Sequence, residues 1–73
     1  MAKKARIVIR NQRGTHAQGG PESADMVLVA GSKGTGKALY TCNYWPWSPR
    51  SAEEAERHMY AAAKRQGYQI VHG

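Results

Sequence analysis

The chain is short, has a single cysteine and has no long apolar run. Each of these features excludes a class of protein. Cys42 is the single cysteine among 73 residues, so no intramolecular disulfide can form and a reducing compartment is expected. The apolar run after the basic start, Ile7–Ile9, is too short for a signal peptide or a membrane span. A chain of this size forms one domain, residues 1–73, and buries only roughly 60% of its unfolded surface. We therefore expect a soluble, intracellular domain without a deep active site.

Acidic residues are scarce as well. Eleven lysines and arginines against five acids give a formal net charge of +6 and a pI near 9.9. Five of the cations fall in the first thirteen residues with no acid among them: Lys3, Lys4, Arg6, Arg10 and Arg13. Such a balance suits nucleic acid or an acidic protein surface as partner. The structural alternative is a charged edge that prevents strand aggregation, although that protection usually mixes both signs.

Catalytic and metal-binding patterns are missing too. His16, His58 and His72 are scattered along the chain, and Cys42 alone does not complete a zinc set. No serine or cysteine is matched to a histidine and an acid. We expect no catalytic residue, no metal and no cofactor, and hence no enzyme.

A glycine-spaced basic stretch, residues 31–37, forms the centre of the chain and fits the phosphate-loop pattern G-x-x-x-x-G-K. A phosphate loop needs a Ser or Thr after the lysine and a helix immediately behind it. Ala38 follows instead, and Leu39–Trp45 has the aromatic composition of a strand. The sequence therefore predicts a β-hairpin whose flexible tip carries Lys33 and Lys37 into solvent.

Three other segments have strand character. Residues 5–12 alternate, with Ile7 and Ile9 on one face and Arg6, Val8 and Arg10 on the other. Met26–Ala30 forms the first strand of the hairpin, and residues 68–73 form a last strand, which could pair beside the first and has Tyr68, Ile70 and His72 on one face. The basic start, about residues 1–4, is expected to be flexible. The polar connection of about residues 13–24 is expected to be mobile or functional.

One helix is expected to begin at Ser51, where Ser51–Glu54 forms a capping box, and to end at Gly67. Its acids crowd the first turn and Glu53 pairs with Arg57. Its apolar stripe is built mainly of alanine: Ala52, Ala55, Met59, Ala62 and Ala63. The predicted fold is α+β, a small antiparallel β-sheet of three to four strands with one α-helix packed on a face.

Two tryptophans flank a proline between the hairpin and the helix. We expect Trp45 to close the core, where truncation would cost roughly 3–5 kcal/mol. Trp47 is a candidate anchor for a protein interface, with a second core position or stacking on a nucleobase as alternatives. Tyr44 and Arg50 join Trp47 in the predicted protein contact.

Two binding classes follow. In one, the domain docks on a large protein machine through these aromatic and arginine side chains, with its basic end near nucleic acid. In the other, the five N-terminal cations, Lys33 and Lys37 bind phosphates directly. No helix-turn-helix pair, zinc finger or aromatic RNA-binding strand motif is visible, so direct binding would be weak and sequence-tolerant.

The basic start Met1–Arg6, the Trp45–Trp47 segment, the single helix and the overall size together resemble small transcription regulators encoded by lytic phages. The resemblance covers the general character of the whole chain. It implies binding to bacterial RNA polymerase near the RNA exit channel, with inhibition of host initiation or read-through of terminators. It also implies RNA near the basic end. We further expect a monomer in the host bacterial cytoplasm and no membrane contact.

Overall fold

Four strands and one helix make up the fold. The computed structural model describes residues 3–17 and 19–71. Its elements are β1 (Lys3–Arg13), β2 (Ser23–Ala30), β3 (Ala38–Tyr44), α1 (Pro49–Gln66) and β4 (Tyr68–Ile70). The predicted small α+β fold is confirmed.

The strands lie in the order β3-β2-β1-β4. β1 pairs with β2 and β2 with β3 in antiparallel fashion, but β4 runs parallel to β1. The sheet is therefore mixed, where an antiparallel one was predicted. The reason is the helix: α1 carries the chain back along the sheet after β3, so β4 must run in the direction of β3 and β1.

The ends of the strands differ from the sequence prediction by a few residues. Lys3 and Lys4 belong to β1, opposite Tyr68 and Gln69 of β4, while Met1 and Ala2 lie outside the described residues. β4 forms beside β1 as predicted, and His72 also lies outside the described residues. The connection between β1 and β2 holds two internal main-chain bonds, from His16 N–H to the Gly20 carbonyl at 3.1 Å and from Gly19 N–H to the His16 carbonyl at 2.8 Å.

The core lies between α1 and one face of the sheet. Alternate β2 side chains, Ala24, Met26 and Leu28, meet the alanine-rich stripe of the helix. The buried residues of that stripe are Ala55, Met59, Ala62 and Ala63, as predicted. Small helical side chains let the helix axis lie close to the sheet, so Leu28 and Met59 are both fully buried.

The helix begins before the predicted residue. Ser48, not Ser51, is the N-cap, and its Oγ accepts from the Ser51 N–H at 3.3 Å. Pro49 occupies the first helical position, where its missing N–H costs nothing. Because the helix starts earlier, its first turn contains no acidic residue. The ion pair along the described helix joins Arg50 to Glu54 at 3.7 Å, where a pair of Glu53 with Arg57 was predicted. The predicted end is confirmed, since Gly67 adopts φ 75°.

Trp45 does not close the core, and that prediction is wrong. Tyr44 takes the inward position at the end of β3 and is 9% exposed, whereas Trp45 is 52% exposed. The alternation of β3 decides this, because consecutive side chains of a strand point to opposite faces.

Candidate binding surfaces

The face of the sheet away from α1 carries the N-terminal cations. Ala5 and Ile7 point toward the helix core, so Lys4, Arg6 and Arg10 project from the opposite side of β1. We call these three residues the basic face. In register, Arg6 lies opposite Val29 and Arg10 opposite Asp25, so the cations follow β1 along most of the sheet. The predicted division of this strand into an apolar and a cationic face is confirmed for these residues.

The loop between β2 and β3 folds back over one end of the basic face. Arg6 donates from Nε to the Ser32 carbonyl at 2.8 Å, and the Gly31 N–H donates to the Lys4 carbonyl at 2.7 Å. A Cβ at Gly34 would lie 3.1 Å from a Val8 methyl carbon. The predicted β-hairpin is confirmed, but its tip, which was expected to be flexible, packs against the sheet. Lys33 and Lys37 of this loop are exposed.

The glycine pattern of this loop has a steric cause. A Cβ on Gly36 would overlap the Ala30 carbonyl oxygen, which accepts the Gly36 N–H at 3.1 Å. The Ala30 N–H in turn donates to the Lys37 carbonyl at 2.9 Å. Gly36 therefore closes the hairpin, and β3 follows where a phosphate loop would need a helix.

A polar cluster occupies the other end of the basic face, around Asp25. The carboxylate accepts from Asn11 Nδ2 at 2.9 Å, from Asn43 Nδ2 at 3.1 Å and from the Arg13 guanidinium at 3.3 Å. These bonds, that from Asn11 first, hold the pKa of Asp25 below its ordinary value of 3.8. A β-bulge between Arg10 and Arg13, with Asn11 at φ 53°, turns the Asn11 side chain toward Asp25.

The seven basic residues predicted as a nucleic-acid-facing set therefore do not form one group. Arg13 is paired with Asp25 within the fold, and the Lys3 ammonium lies 5.7 Å from the centre of the Tyr68 ring. Lys4 and Arg10 are exposed, and no ion pair is recorded for either within residues 3–17 and 19–71. Those two, with Arg6 between them, supply the cationic surface.

Three aromatic rings are stacked where the β1–β2 connection meets the β3–α1 connection. Trp47 stacks with His16, with centroids 4.5 Å apart and planes at 16°, and with Trp45, with centroids 5.6 Å apart and planes at 13°. We call His16, Trp47 and Trp45 the aromatic stack. The Trp47 indole N–H donates to the Glu22 carbonyl at 2.9 Å. Trp47 is 42% exposed, and Trp45, at the end of the stack, is the more exposed.

Of the three residues in the aromatic stack, only Trp47 was predicted from the sequence as a surface contact residue. The rigid Trp-Pro-Trp spacing could have indicated that Trp45 lies beside it. No sequence signal marks His16, because its contact depends on how a long connection folds.

The other two residues of the predicted protein contact lie in different surroundings. Tyr44 belongs to the core, and burial raises the pKa of its hydroxyl, so its ring is not offered to a partner. Arg50 has a side chain that is 90% exposed. Its ion pair with Glu54 is long and solvated, which makes it weak.

The described part of the chain has no pocket, metal cluster or membrane-spanning helix. No cavity opens in its surface. Residues 3–17 and 19–71 contain no group of three or more metal-ligating side chains. Within the same ranges, no helix combines the length and apolar character needed to cross a bilayer.

Comparison with known proteins adds no relative: the chain matches no protein-family model, and no curated protein or solved structure resembles it significantly.

Proposed function

We propose that the chain is a small non-catalytic transcription regulator that binds bacterial RNA polymerase, inhibiting host initiation or promoting terminator read-through. It would act in the host bacterial cytoplasm as a monomer, with RNA near its basic face. The resemblance to phage-encoded regulators suggests the polymerase. The observation that carries the proposal is the presence of two different exposed surfaces on one small body.

The Lys4 end of the basic face lies at the opposite end of the sheet from the aromatic stack. Lys4 and Arg6 lie near Ala30 and Val29 in register, whereas the aromatic stack follows Tyr44, which lies opposite Ala24. Val29 and Ala24 are five residue steps apart along β2, about 17 Å of strand. A protein contacted through Trp47 therefore leaves the Lys4 end of the basic face available to a polyanion.

The protein contact would use the exposed edge of Trp47 together with Arg50. Tryptophan and arginine contribute disproportionately to binding energy in protein interfaces. Trp47 lies in the connection between β3 and α1, and Arg50 lies in the first turn of α1. Pro46 and Pro49 restrict the backbone in this segment. A restricted backbone lowers the entropy lost on binding.

Purified bacterial RNA polymerase tests this proposal directly. We expect the protein to co-migrate with nuclease-treated polymerase on a sizing column and to change transcript yield from a template with one promoter and one terminator. Trp47→Leu combined with Arg50→Glu should abolish co-migration. Tyr60→Leu combined with Arg57→Glu, which removes an exposed ring and reverses a charge elsewhere on α1, should not.

A second function, direct and sequence-tolerant binding of nucleic acid, is favoured by the exposed cations Lys4 and Arg10. The same column distinguishes the two. If the protein runs apart from polymerase but shifts free RNA or DNA, the second function replaces the first. Its affinity should then fall steeply between about 50 and 200 mM salt.

A further inference from the structure

We infer that the outer ring face of Trp45 and the basic face together form a binding site for single-stranded nucleic acid. In this site an unpaired base stacks on Trp45 and phosphates lie along β1. The inference deepens the nucleic-acid part of the proposed function, but it does not require the polymerase.

The aromatic stack has the geometry of a platform. Its two ring pairs are inclined by only 16° and 13°, so the rings form a nearly parallel column. Trp47 stacks with both His16 and Trp45. Trp45 ends the column and is 52% exposed. A flat ring added to that end continues the column, and every nucleobase has such a face.

The platform is held in place before any ligand arrives. The Trp47 N–H is bonded to the Glu22 carbonyl at 2.9 Å, which fixes the ring against which Trp45 lies. The Trp45 main-chain N–H donates to Ser51 Oγ at 3.0 Å, and its carbonyl accepts from the Ser48 N–H at 3.0 Å. Little freedom remains to be lost on stacking, which favours binding.

The cations lie within reach of the same strand of nucleic acid. Arg10 lies opposite Asp25 and Asp25 opposite Asn43, so Arg10 and Asn43 are two strands apart, about 10 Å. Trp45 follows Asn43 by two residues. Lys4, Arg6 and Arg10 then continue along β1 from that point. A few nucleotides would reach from the stacked base to these cations.

The charges around this surface indicate which class of ligand it binds. Seven of the eleven lysines and arginines but only two of the five acids precede the helix. Of these two acids, Asp25 is already engaged by Asn11, Asn43 and Arg13. A polyanion therefore suits this side of the sheet. A duplex would satisfy the cations, but its interior bases are already stacked on each other and only its two ends could offer a base face to Trp45.

Binding of a labelled eight-nucleotide oligouridylate, followed by fluorescence anisotropy and by tryptophan quenching, tests the inference. We expect binding at 50 mM salt with quenching of tryptophan emission. Trp45→Leu should weaken binding roughly tenfold or more, whereas Trp45→Tyr should keep most of the affinity. Tyr60→Leu, which removes a 42%-exposed ring on α1, is the matched control and should change nothing.

Two charge variants separate the basic face from net charge. Lys4→Gln with Arg10→Gln and Arg57→Gln with Lys64→Gln each remove two positive charges. Only the first should weaken binding and make the salt dependence less steep, because only its residues lie on the basic face. Thermal unfolding of every variant establishes that the fold is kept, and Trp45→Tyr provides a readout if Trp45→Leu fails to fold.

Four results would overturn the inference. They are no binding at 50 mM salt, equal affinity of the Trp45→Leu and Tyr60→Leu variants, equal binding of a duplex of the same length, and equal binding of polyglutamate. The last would indicate an acidic protein surface instead. If the protein co-migrates with polymerase but does not bind oligouridylate, this site is rejected and the proposed function stands. If it binds oligouridylate but does not co-migrate with polymerase, the proposed function is rejected and this site stands.

Discussion

The indole Nε1–H of Trp47 donates to the main-chain carbonyl of Glu22 at 2.9 Å. This bond ties the connection after β3 to the connection before β2. His16 packs on the same indole at 4.5 Å, so one side chain fixes the positions of two loops that are distant in sequence. The position of Trp45, which also stacks on Trp47, depends on the same bond.

Replacing Trp47 should therefore destabilise the protein more than replacing the more exposed Trp45. Trp47→Leu loses one hydrogen bond and two ring contacts, for which we expect a loss of about 2 kcal/mol in the free energy of unfolding. Trp45→Leu loses one ring contact and should cost under about 1 kcal/mol. Urea denaturation of both variants measures the difference. Equal losses would show that Trp45 contributes to the core after all.

Replacing Ser48 should weaken the helix, because its hydroxyl accepts the Ser51 N–H at 3.3 Å. Ser48→Ala should lower the free energy of unfolding by about 1 kcal/mol. Glu54→Ala is the informative partner, because a capping box at Ser51 would make Glu54 a capping residue and glutamine could fill the same role. With Ser48 as the cap, Glu54→Ala should leave the free energy of unfolding within about 0.5 kcal/mol of wild type. A larger loss for Glu54→Ala than for Ser48→Ala would indicate that Ser51 and Glu54 form a capping box.

The helix shows where local sequence patterns suffice and where they do not. The stripe of Ala55, Met59, Ala62 and Ala63 follows from helical periodicity alone, as does the ending at Gly67. The start was predicted at Ser51, because a capping-box pattern begins there, although Ser48 is the N-cap. Pro49 favours the earlier choice, since proline fits the first helical position better than the segment before a cap.

The candidate surfaces divide in the same way. Alternation along β1 correctly separates Arg6 and Arg10 from Ile7, because it depends only on strand geometry. The pairing of Arg13 with Asp25 and the stacking of His16 on Trp47 depend on a bulge and on the path of a loop. Neither feature leaves a periodic signal in the sequence, so these contacts could not be predicted from it.

Gly36 should tolerate no side chain. A Cβ there would overlap the Ala30 carbonyl oxygen, and that atom cannot move without breaking the bonds that close the hairpin. Gly36→Ala should lower the free energy of unfolding by about 1–3 kcal/mol. Thr35→Ala, at the exposed neighbouring position, should be nearly neutral. Equal melting temperatures for the two variants would mean that the loop is not closed as described.

Arg6 and Arg10 should differ in their effect on stability although both lie on the basic face. Arg6 is half-buried and its Nε donates to the Ser32 carbonyl at 2.8 Å, which holds the β2–β3 loop on the sheet. Arg6→Gln should therefore cost about 1 kcal/mol, while Arg10→Gln should cost little because Arg10 is exposed. Urea denaturation checks this. It also makes Arg10 the better residue for a binding test, since its loss should leave the fold unchanged.

Asp25 should make the stability of the protein depend on pH in the acid range. Its pKa is held below 3.8 in the folded state, first by the bond from Asn11, so the folded state favours the carboxylate. A depressed pKa contributes stability that is fully present above the unfolded value and is lost as the pH falls through the folded value. The melting temperature should therefore drop below about pH 4. Asp25→Asn should lower the melting temperature near pH 7 and flatten that acid drop, because an amide side chain does not titrate in this range. Glu22→Gln, which removes an exposed carboxylate, should leave the drop in place. An unchanged acid profile in the Asp25 variant would show that other carboxylates cause the loss of stability.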